Sequence, residues 1–86
     1  MAEQKVMIVD DDTNISELLR LYFEKEGFRT AIANNGADAI EMAKSEAPDL
    51  MLLDIMMPEL DGWQVLREIR KFSDMPIIMR RCVMLL

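Results

Sequence analysis

Four aspartates carry the chemical interest of this chain. Asp10, Asp11 and Asp12 follow one another directly after a short apolar run, and Asp54 ends a second such run. Carboxylates gathered in one place repel and raise one another's pKa values, so a cation is needed to resolve them. Three hard oxygen ligands with room for water suit Mg²⁺, which keeps several waters and takes few protein carboxylates. Such an ion would neutralise an incoming phosphoryl group and leave one aspartate free as nucleophile. A plainer reading stands beside this one: acids at strand ends cap the following helix, favoured by its N-terminal dipole. Asp54 at the end of a buried strand shifts the balance towards a metal-assisted phosphoryl site.

The elements that would position these acids can be read from apolar periodicity. Residues 5–9, KVMIV, are rich in β-branched side chains and predict a first strand ending at the acidic triplet. Asn14 and Glu17 have capping-box spacing, which makes Asn14 the expected N-cap of a first helix. Ile15, Leu18, Leu19, Tyr22 and Phe23 then recur as one apolar helix face, and Gly27 is its expected C-cap. Residues 28–33 predict a second strand and Asn34-Asn35-Gly36 a turn. Ala37, Ile40, Ala43 and Ala47 predict a small-residue helix that stops before Pro48.

Leu50 to Leu53 are apolar without alternation, as expected of a strand buried on both faces, and Asp54 closes it. Met56-Met57-Pro58 breaks the strand. Gly62 and Trp63 open a third helix, with Val65, Leu66 and Ile69 inward and Phe72 near its end. Trp63 is read first as packing this helix onto the core, with a partly exposed place near a partner surface as the alternative. Residues 76–79 predict a fourth strand. The order βαβαβαβ predicts parallel strands, right-handed crossovers and helices on both faces. With the first and third strands adjacent, Asp10, Asp11, Asp12 and Asp54 share the carboxyl rim, where open parallel sheets bind ligands.

Composition narrows the function classes. The 86 residues hold at most one small domain. No apolar run approaches the roughly 18 residues of a membrane span, and MAEQK has no signal-peptide character, so a cytoplasmic chain without membrane contact is expected. The net charge of −6 argues against direct nucleic-acid contact. There is no histidine, which excludes His-based zinc sites and Ser-His triads, and Cys82 has no second cysteine to pair with. The nine methionines read as core filler.

Three motifs fail in detail. An EF-hand loop from Asp10 would need Gly at Ile15 and Glu at Leu21. None of the glycines opens a P-loop. A haloacid-dehalogenase-type signature would need Thr or Val at Asn14.

Taken together, VMIVDDD, LLDIMMPELDGW and MPIIM, with the interval from Asp11 to Asp54, resemble the receiver domain of bacterial two-component response regulators. The resemblance covers residues 5–79 and implies a flavodoxin-like α/β fold, an open parallel sheet in three αβα layers. It implies that Asp54 accepts a phosphoryl group from a sensor histidine kinase. Asp11, Asp54 and the backbone carbonyl of Met56 would be Mg²⁺ ligands, with Asp10 acting through a water. Asp12 receives no role beyond its charge. Pro58 and Gly62 would shape the loop behind the nucleophile. The module would be a stoichiometric acceptor rather than a turnover enzyme. DGW and the acidic early residues resemble regulators with a winged-helix DNA-binding output, hence transcription control.

The chain also departs from that pattern. The family has five strands and five helices, and this sequence supplies four strands, so the fold is expected to be incomplete in its C-terminal third. Arg80 stands where a phosphate-sensing Ser or Thr is expected, no Ser or Thr follows Ser73, and the last lysine is Lys71 in the third helix. Residues 1–79 are therefore read as a partial receiver and 80–86, RRCVMLL, as an atypical tail that is neither strand nor full helix. An exposed fourth-strand edge, or the tail, would invite a homodimer, and the third-helix side of the sheet would lack part of its cover. Two other functions stay open: a receiver-like dimerisation fragment that does not switch, and a Mg²⁺-dependent phosphatase with an aspartyl intermediate.

Overall fold

Alternation of local signals along the chain produces seven elements in a computed structural model that describes residues 3–80. They are β1 (Lys5–Val9), α1 (Thr13–Lys25), β2 (Arg29–Ala33), α2 (Gly36–Glu46), β3 (Leu50–Asp54), α3 (Gly62–Ile69) and β4 (Ile77–Arg80). All strands are parallel, in the order β2-β1-β3-β4. Adjacent β1 and β3 are thus as expected, and the flavodoxin-like α/β arrangement is the observed one.

Side-chain caps start each helix, although not always at the expected residue. Asp12, not Asn14, is the N-cap of α1, accepting from the amides of Asn14 (2.9 Å) and Ile15 (3.3 Å). An aspartate at this position has the same capping ability and lies where the chain leaves the strand rim, so the helix begins two residues earlier. Asp12 therefore takes the capping role that the plainer reading gives to acids at strand ends. Asn35 accepts from the Asp38 amide at 2.8 Å, so the expected turn is a helix start. Ala47, with φ 45°, ends α2 in a left-handed cap before Pro48. Asp61 and Gln64 form a reciprocal capping box on α3, each bond 3.0 Å.

Two apolar clusters flank the sheet. One joins Met7, Val9, Met51 and Leu53 to Ala39 and Ala43 of α2 and to Val65 and Ile69 of α3. The other is smaller: Val6, Ile8 and Leu52, covered by Leu19 and Phe23 of α1 and by Phe28. That small patch is filled by a narrow stripe, so Leu18 and Tyr22 of the expected apolar face are exposed and Ser16 is buried instead. The Ser16 hydroxyl is satisfied by the Asp12 and Thr13 carbonyls. Trp63 is 50% exposed, so α3 is anchored by Gly62, Val65 and Ile69, not by the indole. Met7, Met51, Met57 and Met75 do fill the core.

The β4 strand differs from expectation at both ends. It begins at Ile77 and includes Arg80, which is therefore strand and not tail; residues 81–86 lie outside the described residues. Ile77 and Met79 pack into the α2–α3 cluster. Ile78 points to the opposite face by the two-residue period and is exposed. Among the described residues, β4 is thus uncovered at Ile78 on the α1 side of the sheet, while Ile77 and Met79 on the α3 side are partly buried.

Candidate functional site

The register of the sheet builds the site. Val9 of β1 pairs with Leu53 of β3, so the next residues, Asp10 and Asp54, emerge side by side at the carboxyl rim. The Asp10 amide bonds the Ala33 carbonyl of β2 at 3.1 Å, carrying sheet-like order past the end of β1. On the other side, Asp54 pairs with Arg80 and the Ile55 amide bonds the Arg80 carbonyl at 2.9 Å.

Asp10, Asp11 and Asp54 each offer a carboxylate oxygen, and these atoms lie within 4.8 Å of one another. Asp10 is 1% and Asp54 6% exposed, whereas Asp11 is open to solvent. Both Asp10 oxygens are engaged: Oδ1 accepts from the Asp12 amide at 2.8 Å, and Oδ2 accepts from the Arg80 guanidinium. The Asn34 side-chain amide donates to the Asp10 carbonyl at 3.1 Å. Asp54 Oδ1 accepts from the Met56 amide at 3.1 Å. Among the described residues its Oδ2 has no donor.

Burial pushes the Asp54 carboxyl above its ordinary range, the Met56 amide opposes that, and the negative charge of Asp11 adds to it. A raised carboxyl is a poor nucleophile until a cation holds it ionised. Three hard oxygens in a half-open rim have the donor chemistry of a small divalent ion such as Mg²⁺.

The loop behind Asp54 is held by close backbone approach. The Gly62 amide donates to the Ile55 carbonyl at 3.0 Å. A Cβ on Gly62 would stand 2.6 Å from the Asp54 carbonyl oxygen and 2.6 Å from Ile55 Cα. Glu59 takes φ 65°, a left-handed conformation costing a non-glycine residue roughly 1–2 kcal/mol. Met56 contributes its amide to Asp54 and leaves its side chain exposed.

The expected acids therefore converge: Asp10, Asp11 and Asp54 are in the cluster, while Asp12 turns into the α1 cap. Lys71 lies in the turn after α3, not within the helix as expected, and pairs with Glu68 at 3.0 Å. Arg80 was missed as a site residue. Its strand periodicity with Ile77 and Met79 could have placed it on the rim, but nothing in the sequence announces a partner at Asp10.

Comparison with known proteins agrees with this geometry. The family described as the response regulator receiver domain matches residues 6–80. The N-terminal domain of a response regulator receiver protein from Methanoculleus marisnigri JR1 is 33% identical, with a TM-score of 0.86 over 91% of this chain and 66% of that one. The BeF3-activated N-terminal receiver domain of Klebsiella pneumoniae RstA is 32% identical, TM-score 0.88, over 93% and 68% of the two chains. Vibrio cholerae chemotaxis protein CheY4 is 26% identical, TM-score 0.87, over 91% and 68%. The chain thus spans about two thirds of the length of these structures.

Proposed function

The chain belongs to the response regulator receiver domain family, and on that premise we propose that Asp54 accepts a phosphoryl group from a sensor histidine kinase. The observation that carries this reading is the convergence of Asp10, Asp11 and Asp54 within 4.8 Å at the end of two neighbouring parallel strands. The Oδ2 of Asp54, which has no donor among the described residues, forms the new O–P bond as the P–N bond of the donor phosphohistidine breaks. The Met56 amide holds Oδ1 and so fixes the carboxylate plane during transfer.

The acidic donor set fits Mg²⁺, with Asp11, Asp54 and the Met56 carbonyl as ligands and Asp10 acting through a water. When bound, the ion supplies the positive charge that keeps the carboxylates ionised and offsets the phosphoryl oxygens. The module is a stoichiometric acceptor, not an enzyme of multiple turnover. Its setting is bacterial and cytoplasmic two-component signalling, with a DNA-binding output and transcription control as the downstream step. Among the described residues no helix is long and apolar enough to cross a membrane.

Incubation with acetyl phosphate and Mg²⁺, followed by intact-mass measurement, tests the reading. One phosphoryl increment that is lost in Asp54→Asn and with EDTA is expected. No increment in the unchanged protein would refute it.

A second reading draws on β4. Its outer edge has no partner among the described residues, Ile78 is exposed, and Arg80 closes β4 itself with its side chain on Asp10. Such a module would bind metal and self-associate through that edge without switching. Modification of Asp54 with no change in oligomer size supports it; a coupled change in size supports switching.

A further inference from the structure

The cation nearest the acidic cluster is part of the chain. Arg80 is fixed at the rim through its backbone, in register with Asp54 and bonded to the Ile55 amide at 2.9 Å. Its guanidinium ion-pairs with Asp10, a residue 70 positions away in sequence and almost wholly buried. The two partners differ in freedom. Asp10 is pinned by the Asp12 amide as well. The Arg80 side chain is 31% exposed and its long stem can turn to solvent. Among the described residues it is the one cation paired with any of the three acids.

We infer that Arg80 is a tethered counter-ion that occupies Asp10 when the site holds no metal and competes with the divalent cation for the cluster. A buried carboxylate left unpaired is costly, so the metal-free fold needs the guanidinium there. A divalent ion arriving among the same oxygens meets a positive charge already in place, and binding requires that Arg80 withdraw or that the repulsion be borne. Arg80 therefore weakens metal affinity while stabilising the empty protein. The cation-binding rim of the proposed function is the premise of this inference, and the test separates the two.

The experiment follows Mn²⁺ binding to the full chain by the electron paramagnetic resonance signal of free Mn²⁺, with Mg²⁺ as competitor, at neutral pH and low salt. Hydrogen bonds to charged groups correspond to about a tenfold change in an equilibrium constant or more, so Arg80→Met should tighten Mn²⁺ binding about tenfold. Arg80→Lys keeps the charge without the planar fork and should tighten it less, about threefold. Thermal unfolding gives a second readout: Arg80→Met should melt below the unchanged protein in EDTA and gain more from saturating Mg²⁺. Unchanged or weaker binding in both variants, with Asp11→Asn abolishing binding, overturns the inference and leaves the metal site standing. If neither the unchanged protein nor the Arg80 variants bind Mn²⁺, the site reading fails and the inference with it. Should Arg80→Met not fold, Arg80→Lys decides alone.

Discussion

Gly62 is where the geometry of the site makes the sharpest demand on the sequence, and Gly62→Ala tests it. The added Cβ would meet the Asp54 carbonyl oxygen at 2.6 Å, Ile55 Cα at 2.6 Å and the Asp54 carbonyl carbon at 3.1 Å. These are backbone atoms of the strand end, so no rotamer change relieves the clash, and α3 must move outward. Its buried stripe, Val65 and Ile69, would withdraw with it. Overpacking of this kind costs about 1–3 kcal/mol, while the better helix propensity of alanine returns up to about 1 kcal/mol. A net loss of about 1–2 kcal/mol is expected, read as a lower urea midpoint with unchanged slope. In a domain this small that corresponds to a Tm lower by about 5–15 °C. Because the displaced atoms belong to the residue carrying the proposed acceptor carboxylate, acetyl-phosphate labelling should slow as well. Gly27→Ala is the control: φ is 96° there with nothing within 4 Å, so it should lose stability through conformation alone and label normally. A Gly62→Ala protein as stable as the unchanged one would refute the reasoning.

Other expectations follow from the same structure. Burial raises the Asp54 carboxyl, so its contribution is fully present below the ordinary carboxylate range and is lost as pH rises through the raised value. Urea titrations in EDTA should therefore show Asp54→Asn gaining on the unchanged protein between acidic and neutral pH; a constant or shrinking difference contradicts this. Asp61→Ala removes the side-chain half of the α3 capping box, leaves the backbone N–H of residue 61 to donate to Gln64, and should lower stability by about 1 kcal/mol by chemical denaturation. Ile69→Ala opens a cavity at a fully buried position between α3 and the sheet, for an expected loss of about 2–5 kcal/mol in the same assay.

The Arg80–Asp10 pair bears on both proposed readings. Arg80 closes β4, and its guanidinium holds one of the three clustered acids. Its release is then a natural point at which metal binding could couple to the β4 edge, since Arg80 is the last residue of that strand.

Much of the fold was legible in the chain because its signals are local. Unalternating apolar residues at Leu50 to Leu53 determine a strand buried on both faces, and the breakers around Pro48 and Pro58 bound it. The βαβαβαβ order restricts the topology to a parallel sheet, which by itself brings Asp10, Asp11 and Asp54 to one rim. What escaped the sequence depended on distances between separate elements. Asp12 displaced Asn14 as the cap because several polar residues in succession are equally capable, and only the exit path from β1 selects one. Leu18, Tyr22 and Trp63 lie outside the core because the facing patches are narrower than the apolar faces offered to them. The pairing of Arg80 with Asp10 exists only through the register of three strands, and no periodicity along the chain encodes a contact made across the sheet.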